Sequence, residues 1–184
     1  METERLNLRL WQITDLNDLY EYAHDERVGP MAGWKPHDSI TESEQILNQF
    51  VTQEHHWAIV LKKENKVIGA VKLNPDENRG RYVAKSISFV LSPKYWGQGI
   101  MTEAVSGVMD YAFRALHIDL LSAFHYVENV RSKRVIEKCG FTYEITLPKS
   151  VVRYDGQRFD MVCYSILKED FLQTNRVLSS FMKS

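Results

Sequence analysis

Two glycines, Gly97 and Gly99, stand in this sequence between a short run of alternating apolar residues and a long helical pattern. Glycine adopts backbone angles that other residues avoid, and it lets a ligand approach the main chain closely. The first turn of a helix leaves backbone N–H groups without partners, and the helix dipole attracts negative charge to that end. A glycine-rich connection at the start of a helix therefore predicts a site that binds a phosphate-bearing ligand.

The spacing of these glycines excludes the two best-known phosphate loops. No third glycine stands where a dinucleotide-binding loop needs one, and no Gly-Lys-Ser or Gly-Lys-Thr ending follows. Two glycines alone are also compatible with a tight loop that starts a helix. A second block, residues 129–141, strengthens the functional interpretation because it completes a pattern known from one enzyme family.

Together the two blocks resemble the GNAT superfamily of N-acetyltransferases, in particular its RimJ/RimL-like branch. The segments that carry the resemblance are Tyr95-Trp96-Gly97-Gln98-Gly99, Thr102-Glu103-Ala104, Tyr111-Ala112-Phe113, Asn129 with Ser132, and Glu137-Lys138-Cys139-Gly140-Phe141. The likeness begins at residues 4–9 and continues to about residue 170. It implies transfer of an acetyl group from acetyl-CoA to a primary amine by direct attack in a ternary complex, with a protein or peptide N-terminal α-amine as the favoured acceptor.

The resemblance also implies the fold. A GNAT chain has α/β architecture, with a mixed, mostly antiparallel sheet of about seven strands that splays between strands 4 and 5 and is flanked by helices. The pantetheine arm of acetyl-CoA lies in that opening. The hydrophobic periodicity agrees with this order of elements. It predicts strands at 6–10, 57–61, 67–73, 86–91, 120–126, 141–145 and 159–167, with helices before, between and after them.

The cofactor site follows from the resemblance, residue by residue. Main-chain amides of residues 98–102 are expected to hold the diphosphate, and amides near residues 89–91 to meet the pantetheine and the thioester oxygen. The expected cofactor-binding residues are Phe89, Val90, Leu91, Trp96, Gly97, Gln98, Gly99, Ile100, Met101, Thr102, Asn129 and Ser132. The basic residues of the helix after Asn129 either contact the nucleotide end or form a solvated face.

Ser132 is the first of two expected catalytic residues. Many GNAT enzymes place a tyrosine seven residues after the helix asparagine to protonate the leaving thiolate, but Ile136 stands there in this sequence. Ser132 shares a helical stripe with apolar residues, so its hydroxyl points inward, and we expect it to donate a hydrogen bond to the thiol sulfur. The alternative is a serine that bonds back to its own helix turn.

The second expected catalytic residue is His125, as the general base. The branch often carries a glutamate in the strand before the glycines, but residues 85–88 read Lys-Ser-Ile-Ser. His125 alternates with Leu121 and Ala123, could face the cleft, and has a reference pKa near 6.5 that suits proton acceptance. A structural histidine and a relay through ordered water are the alternatives.

The missing carboxylate also bears on the acceptor. At pH 7 an α-amine, with a pKa of about 7.7–8.0, is roughly one-tenth neutral, whereas lysine is neutral about once in several thousand molecules. A site without a strong base therefore favours an α-amine, as acetylated by the named members of this branch. Trp34 and Tyr154 are expected to line the acceptor pocket, although Trp34 could instead pack between the first two helices. His55 and His56 are expected to be solvated.

Composition narrows the remaining classes. The chain has 184 residues and a formal net charge of −1, which argues against sequence-independent nucleic-acid binding. No apolar run is long enough to span a membrane, and no His/Cys/carboxylate spacing indicates a metal. Cys139 and Cys163 are expected to be buried thiols, which favours a reducing cytoplasm. We expect one domain over residues 1–184, with 168–184 as an appended helix. The oligomeric state stays open, a homodimer being one alternative.

Two other functions compete with acetyl transfer. A protein that binds acyl-CoA without catalysis would keep the glycine loop and could lack both the strand glutamate and the helix tyrosine. A nucleotide-phosphate enzyme is disfavoured because no lysine follows the glycines.

Overall fold

The computed structural model describes residues 1–173. The elements are β1 (Leu6–Leu10), α1 (Leu16–Ala23), α2 (Gly29–Ala32), α3 (Ile40–Phe50), β2 (His56–Leu61), β3 (Lys66–Pro75), β4 (Ala84–Leu91), α4 (Ile100–Arg114), β5 (Leu120–Tyr126), α5 (Val130–Lys138), β6 (Thr142–Val152) and β7 (Arg158–Leu167). Residues 168–173 are helical, and the rest of the expected appended helix lies outside the described residues.

The seven strands form one sheet in the order β1-β2-β3-β4-β5-β7-β6. All neighbours are antiparallel except β4 and β5, which are parallel. The pairing of β4 with β5 runs only from Ala84 opposite Leu120 to Ile87 opposite Ala123. Beyond Ile87 the two strands separate, so the expected mixed, splayed sheet is confirmed.

Each face of the sheet carries its own hydrophobic core, because successive side chains of a strand point to opposite faces. On one face α4 buries a stripe that includes Ala104, Val108 and Ala112, all fully buried. The spacing of four residues places them on one side of the helix, against the strands. On the other face α1 and α3 pack over β2 and β3 through Leu19 and Leu47. The opening between β4 and β5 therefore lies between two helical layers.

The paired end of β4 and β5 is fastened by a polar network. Asp76, in the β3–β4 connection, accepts a hydrogen bond from the Ser122 hydroxyl of β5 at 2.5 Å. Arg79 binds Asp76 at 3.0 Å and Glu144 of β6 at 2.8 Å. Ser165 of β7 donates to Glu144 at 2.6 Å. This network joins the connection to three strands beyond the opening.

Residues 1–173 were also compared with the requirements of a membrane span and of a metal site. Within residues 1–173 no helix has both the length and the apolar character needed to cross a bilayer. In the same part of the chain, no three His, Cys, Asp or Glu side chains are grouped so that they could hold a metal ion.

Candidate active site

A cleft of about 640 Å³ occupies the open end between β4 and β5. Its walls come from both helical layers. The α4–α5 side contributes Trp96, Met101 and Ser132, and the α1–α3 side contributes Trp34 and Phe50. The cleft thus passes between the strands and offers two arms, one on each face of the sheet.

The glycine loop leads into α4 beside this cleft. Gly97 and Gly99 have φ angles of 76° and 74°, in the left-handed region that glycine adopts without strain. Within residues 1–173 the backbone N–H groups of residues 97–102 have no hydrogen-bond acceptor. These groups lie at the positive end of a long helix and are free to bind an anion.

The N-terminal segment holds this loop in place. Arg5 donates to the Gln98 carbonyl oxygen at 3.0 Å and forms an ion pair with Glu103 at 2.6 Å. The Thr3 hydroxyl donates to the same carboxylate at 2.5 Å. These hydrogen bonds lower the pKa of Glu103 against the opposing effect of burial. Arg5 thus joins the loop to the first helical turn.

The end of β4 supplies a second set of backbone donors. The Ser92 N–H donates to the Ile68 carbonyl of β3 at 2.8 Å. Hydrogen-bonding positions alternate along an antiparallel ladder. The backbone groups of Phe89 and Leu91 therefore point away from β3, toward the opening, and those of Val90 point toward β3. Of the three strand amides expected at the thioester, two have the required direction.

Ser132 lies in the cleft with a free hydroxyl. Asn129 caps α5, because its side-chain oxygen accepts from the Ser132 N–H at 3.1 Å, while its amide nitrogen donates to the Met31 carbonyl at 3.1 Å. The Ser132 hydroxyl has no hydrogen-bond partner within residues 1–173, so the bond back to its own helix turn does not form. Asn129 orients the start of α5 and ties it to α2.

Trp96 and Arg131 connect the two sides of the opening. The indole N–H of Trp96 donates to the Leu91 carbonyl at 2.8 Å, and the guanidinium of Arg131 lies 4.1 Å from the centre of the indole ring. Stacking of this kind contributes about 0.5–2 kcal/mol. It places a cation of α5 next to the glycine loop.

His125 is buried and lines the cleft two residues beyond the last β4–β5 pair. Its Nδ1 lies 2.7 Å from the Tyr126 carbonyl oxygen. A carbonyl only accepts, so Nδ1 carries the proton of the neutral ring and Nε2 has the lone pair. Nε2 is buried and has no hydrogen-bond partner in the described part of the chain.

The two residues expected at the acceptor lie in different surroundings. Trp34 lines the cleft and packs against the core under α1 and α3, so both interpretations of it apply. Tyr154 is 49% exposed, in the β6–β7 turn, and is not among the residues that line the cleft. Its neighbour Arg153 ties that turn to α2 through the Pro30 carbonyl oxygen at 3.3 Å.

Comparison with known proteins fixes the family. Residues 5–142 match the model of the Acetyltransferase (GNAT) domain. The chain belongs to the GNAT acetyltransferase family. This GNAT chain is 27% identical to the Uncharacterized N-acetyltransferase p20 of Bacillus licheniformis, over 92% of its own length and 96% of the relative. It is 35% identical to the Probable N-acetyltransferase YjcK of Bacillus subtilis, over 71% of its own length and 70% of the relative.

The fold of a GNAT acetyltransferase from Bacillus anthracis is the same. Its crystal structure matches with a TM-score of 0.84 at 24% identity, covering 92% of this chain and 98% of that one. Relatives with named acceptors are more distant. A spermidine N(1)-acetyltransferase and a [Ribosomal protein uS5]-alanine N-acetyltransferase of Escherichia coli are each 24% identical, over 68% and 93% of this GNAT chain. The chain is thus an N-acetyltransferase, and its relatives differ in the amine that they modify.

Three polar residues of this GNAT cleft were missed or misassigned from the sequence. His56 was expected in solvent, but it is buried, with its ring 4.2 Å from Phe50 and 5.8 Å from Trp11. Lys72 and Glu42 also line the cleft. Glu42 belongs to a recognisable helix-capping pattern with Ser39, so the sequence does not indicate that it also lines the cleft. Lys72 carries no sequence signal beyond its place in a strand.

The two cysteines take no part in the cleft. Cys163 is buried as expected, whereas Cys139 is half-buried, with its thiol 3.8 Å from the Thr102 carbonyl. Burial raises the pKa of Cys139 to about 11, so this thiol is protonated at neutral pH. Neither thiol is prepared for nucleophilic chemistry.

Proposed function

We propose that this GNAT enzyme acetylates the α-amine of a protein or peptide N-terminus, using acetyl-CoA in a ternary complex. The observation that carries the proposal is the run of unpaired backbone N–H groups at residues 97–102, beside the open end of β4 and β5. A free helix N-terminus of this kind suits a diphosphate, because several donors and the helix dipole act on one anion. Arg131 adds a cation nearby.

The strand end suits the rest of the cofactor. The Phe89 and Leu91 amides point toward the opening, where an extended pantetheine arm can pair with β4 as a further strand would. One such amide would also face the thioester oxygen. Removing a donor of this type from a known oxyanion hole costs about 2.7–4 kcal/mol of transition-state stabilisation.

The catalytic roles follow from the free polar groups. The neutral amine attacks the thioester carbon, a C–N bond forms and the carbonyl electrons move to the oxygen. His125 Nε2 accepts the proton that the amine loses. The electrons then return from the oxygen to re-form the carbonyl, the C–S bond breaks, and coenzyme A leaves as a thiolate whose sulfur accepts a hydrogen bond from the Ser132 hydroxyl. An alkyl thiol has a pKa near 8.5, so this leaving group needs only modest help.

The acceptor is assigned by its basicity. Because β4 lacks the glutamate that the branch often carries there, an acceptor of low pKa is easier to use, and an α-amine meets that condition better than a lysine. The ribosomal-protein alanine acetyltransferase among the relatives supports this choice, and the spermidine acetyltransferase supports the competing class of polyamines. In this chain Cys139 and Cys163 are free thiols, which suits a reducing cytoplasm, where such acceptors occur.

Thiol release from acetyl-CoA, measured in parallel with N-terminal peptides, polyamines and aminoglycosides, tests the proposal. We expect the highest kcat/KM with a peptide α-amine, and no thiol release from the same peptide blocked at its N-terminus. Highest activity with a polyamine or an aminoglycoside would overturn the acceptor assignment. Tight acetyl-CoA binding with background release across the whole panel would instead favour a protein that binds acyl-CoA without catalysis.

A further inference from the structure

We call the arm of the cleft on the α1–α3 side, opposite the glycine loop, the acceptor arm, and it contains a lysine without a counter-ion. Lys72 is half-buried in β3 and lines the cleft. It shares a face with Ala70, whose side chain belongs to the core under α1 and α3. Within residues 1–173 no carboxylate lies within ion-pair distance of its ammonium group. A partly buried charge without a partner is unfavourable, and it marks a place where an opposite charge is stabilised.

Other charges along the cleft leave this one uncompensated. Arg27 is bound to Asp25 at 2.5 Å, and Lys35 is bound to Asp38. Glu42 is the one carboxylate among the residues that line the cleft, and it accepts a hydrogen bond from the Asp38 N–H at 2.6 Å. The fourth cation that lines the cleft is Arg131 of α5, which lies against Trp96 near the glycine loop. With those two pairs neutral, Lys72 and Glu42 are the two charges of the acceptor arm that have no ionic partner within residues 1–173, so the charge of Lys72 is uncompensated locally although the arm as a whole carries no net charge.

The neighbour of Lys72 across β2 is consistent with this field. His56 faces Lys72 in the antiparallel ladder. Burial, together with the charge of Lys72, lowers the pKa of His56 to about 4, so the ring is neutral at pH 7. His56 neither neutralises Lys72 nor competes with it for an anion.

Lys72 is also close to the place of reaction. It faces Ser88 in the β3–β4 ladder, and Ser88 is the first residue after the last β4–β5 pair at Ile87. Neighbouring strands are about 4.8 Å apart. A lysine side chain spans that distance, so its ammonium group can reach the floor of the opening. An anion bound by this ammonium group would lie beside residues 89–91 of β4, where we expect the thioester and the attacking amine.

We infer that the acceptor amine carries an anionic group nearby, such as a carboxylate, and that Lys72 binds it. The inference rests on the proposed function and deepens it, because it names the class of acceptor. An amino acid carboxylate and an acidic side chain at a peptide N-terminus share this chemistry. Polyamines are the opposite case at this position, since Lys72 repels a second positive charge that lies beside it.

Matched acceptors test the inference and separate its sources. One pair is a peptide amide that begins with aspartate and the same peptide beginning with asparagine. The other is alanine and alanine amide. A charge-assisted hydrogen bond contributes about 1.5–3 kcal/mol, so we expect the anionic member of at least one pair to have a kcat/KM about tenfold or more higher. The pair that shows the difference identifies where the anion is carried.

Variants assign the preference to Lys72. Lys72→Gln should remove it, Lys72→Arg should retain it, and Lys63→Gln, which removes an exposed charge in the β2–β3 turn, should leave it unchanged. Thermal unfolding of each variant checks that the fold is kept. A preference that survives Lys72→Gln, or equal rates for both members of each pair in the wild-type protein, overturns the inference while acetyl transfer stands.

Binding gives a readout that needs no turnover. Calorimetric titration with the N-acetylated products should show the same preference in the wild-type protein and its loss in Lys72→Gln. If no amine is acetylated, the proposed function fails. Equal product affinities would then overturn the charge preference separately.

Discussion

The two ends of the β4–β5 junction differ in whether their polar groups have hydrogen-bond partners within the protein. At the paired end, Asp76, Arg79 and Glu144 satisfy one another together with serines of β5 and β7. At the open end, the amides of residues 97–102 and the Ser132 hydroxyl have no partner within residues 1–173. Gly97, Gln98 and Gly99 are exposed, so water solvates their amides and leaving them unpaired costs the fold little. The protein itself satisfies the polar groups of the paired end, whereas the open end keeps donors that are available to a ligand.

The contrast has a direct consequence for mutations. Changes at the paired end should act on stability, because its polar groups hold the strands and the β3–β4 connection together. Changes at the open end should act on ligand affinity or turnover, because the fold already tolerates the unpaired groups there.

Arg79→Leu should have the largest effect on stability. It leaves Asp76 and Glu144 without their common cation, and breaking a buried ion pair costs about 3–5 kcal/mol. Arg79 is 19% exposed and Asp76 is 7% exposed, so we expect a loss near the lower limit. Urea unfolding gives the value. The control is Arg114→Leu, whose pair with Asp110 is more than half exposed and should contribute under about 1 kcal/mol. Equal losses in both variants would contradict the role given to the network.

Gly99→Asp should weaken acetyl-CoA binding by about 30-fold or more. The new carboxylate repels the diphosphate, and two unit charges at about 4 Å interact by up to about 4 kcal/mol near a protein surface. Part of any loss comes from the positive φ angle, which a side chain adopts with strain. Gly156→Asp matches that strain at φ +79° in an open turn, and its affinity should stay unchanged. Unchanged affinity for Gly99→Asp by calorimetry would remove the diphosphate from this loop.

The contribution of the Asp76 carboxylate to stability should depend on pH. Burial alone would raise the pKa of Asp76, but its bonds to Ser122 and Arg79 lower it below the ordinary 3.8. A carboxyl whose pKa is lower in the folded state adds stability above its unfolded pKa and loses it as pH falls through the folded value. Wild type should therefore exceed Asp76→Asn in unfolding free energy by about 1–3 kcal/mol at pH 7. The difference should shrink below pH 3.8. A gap that stays constant with pH would assign it to something other than the charge.

Ser132→Ala should have the smallest effect. We expect kcat to fall about tenfold, below the usual range for acid–base groups, because the thiolate is a good leaving group. Acetyl-CoA affinity should change little. Ser106→Ala removes a hydroxyl of α4 that is exposed and lies outside the cleft, so its kinetics should match wild type. A defect confined to affinity would return Ser132 to a structural role.

Local signals predicted much of this molecule. The pattern of α4 is confirmed at 100–114, and the position of the glycine loop before it follows from residue types that few other arrangements accommodate. The spacing of Ser39 and Glu42 is typical of a helix cap, and Ser39 accepts from the Glu42 N–H at 3.2 Å. In each case the interacting groups are within one helical turn of each other in the sequence.

The acceptor arm was predicted poorly, because its residues meet only through strand pairing and through packing between distant segments. His56 is buried by Phe50 of α3 and by Trp11, which follows β1. Lys72 reaches the cleft because β3 lies beside β4, and nothing in its own neighbourhood in the sequence indicates a missing counter-ion.

The sequence alone determined the helix that follows the glycines and the order of helices and strands along the chain, and it predicted an anion site at the loop, because backbone preference and periodicity act over a few residues. The tertiary structure decided where β4 and β5 part, which amides face that opening and which side chains remain unpaired there. Those properties depend on register and burial between segments far apart in the chain, and short-range preferences do not specify them.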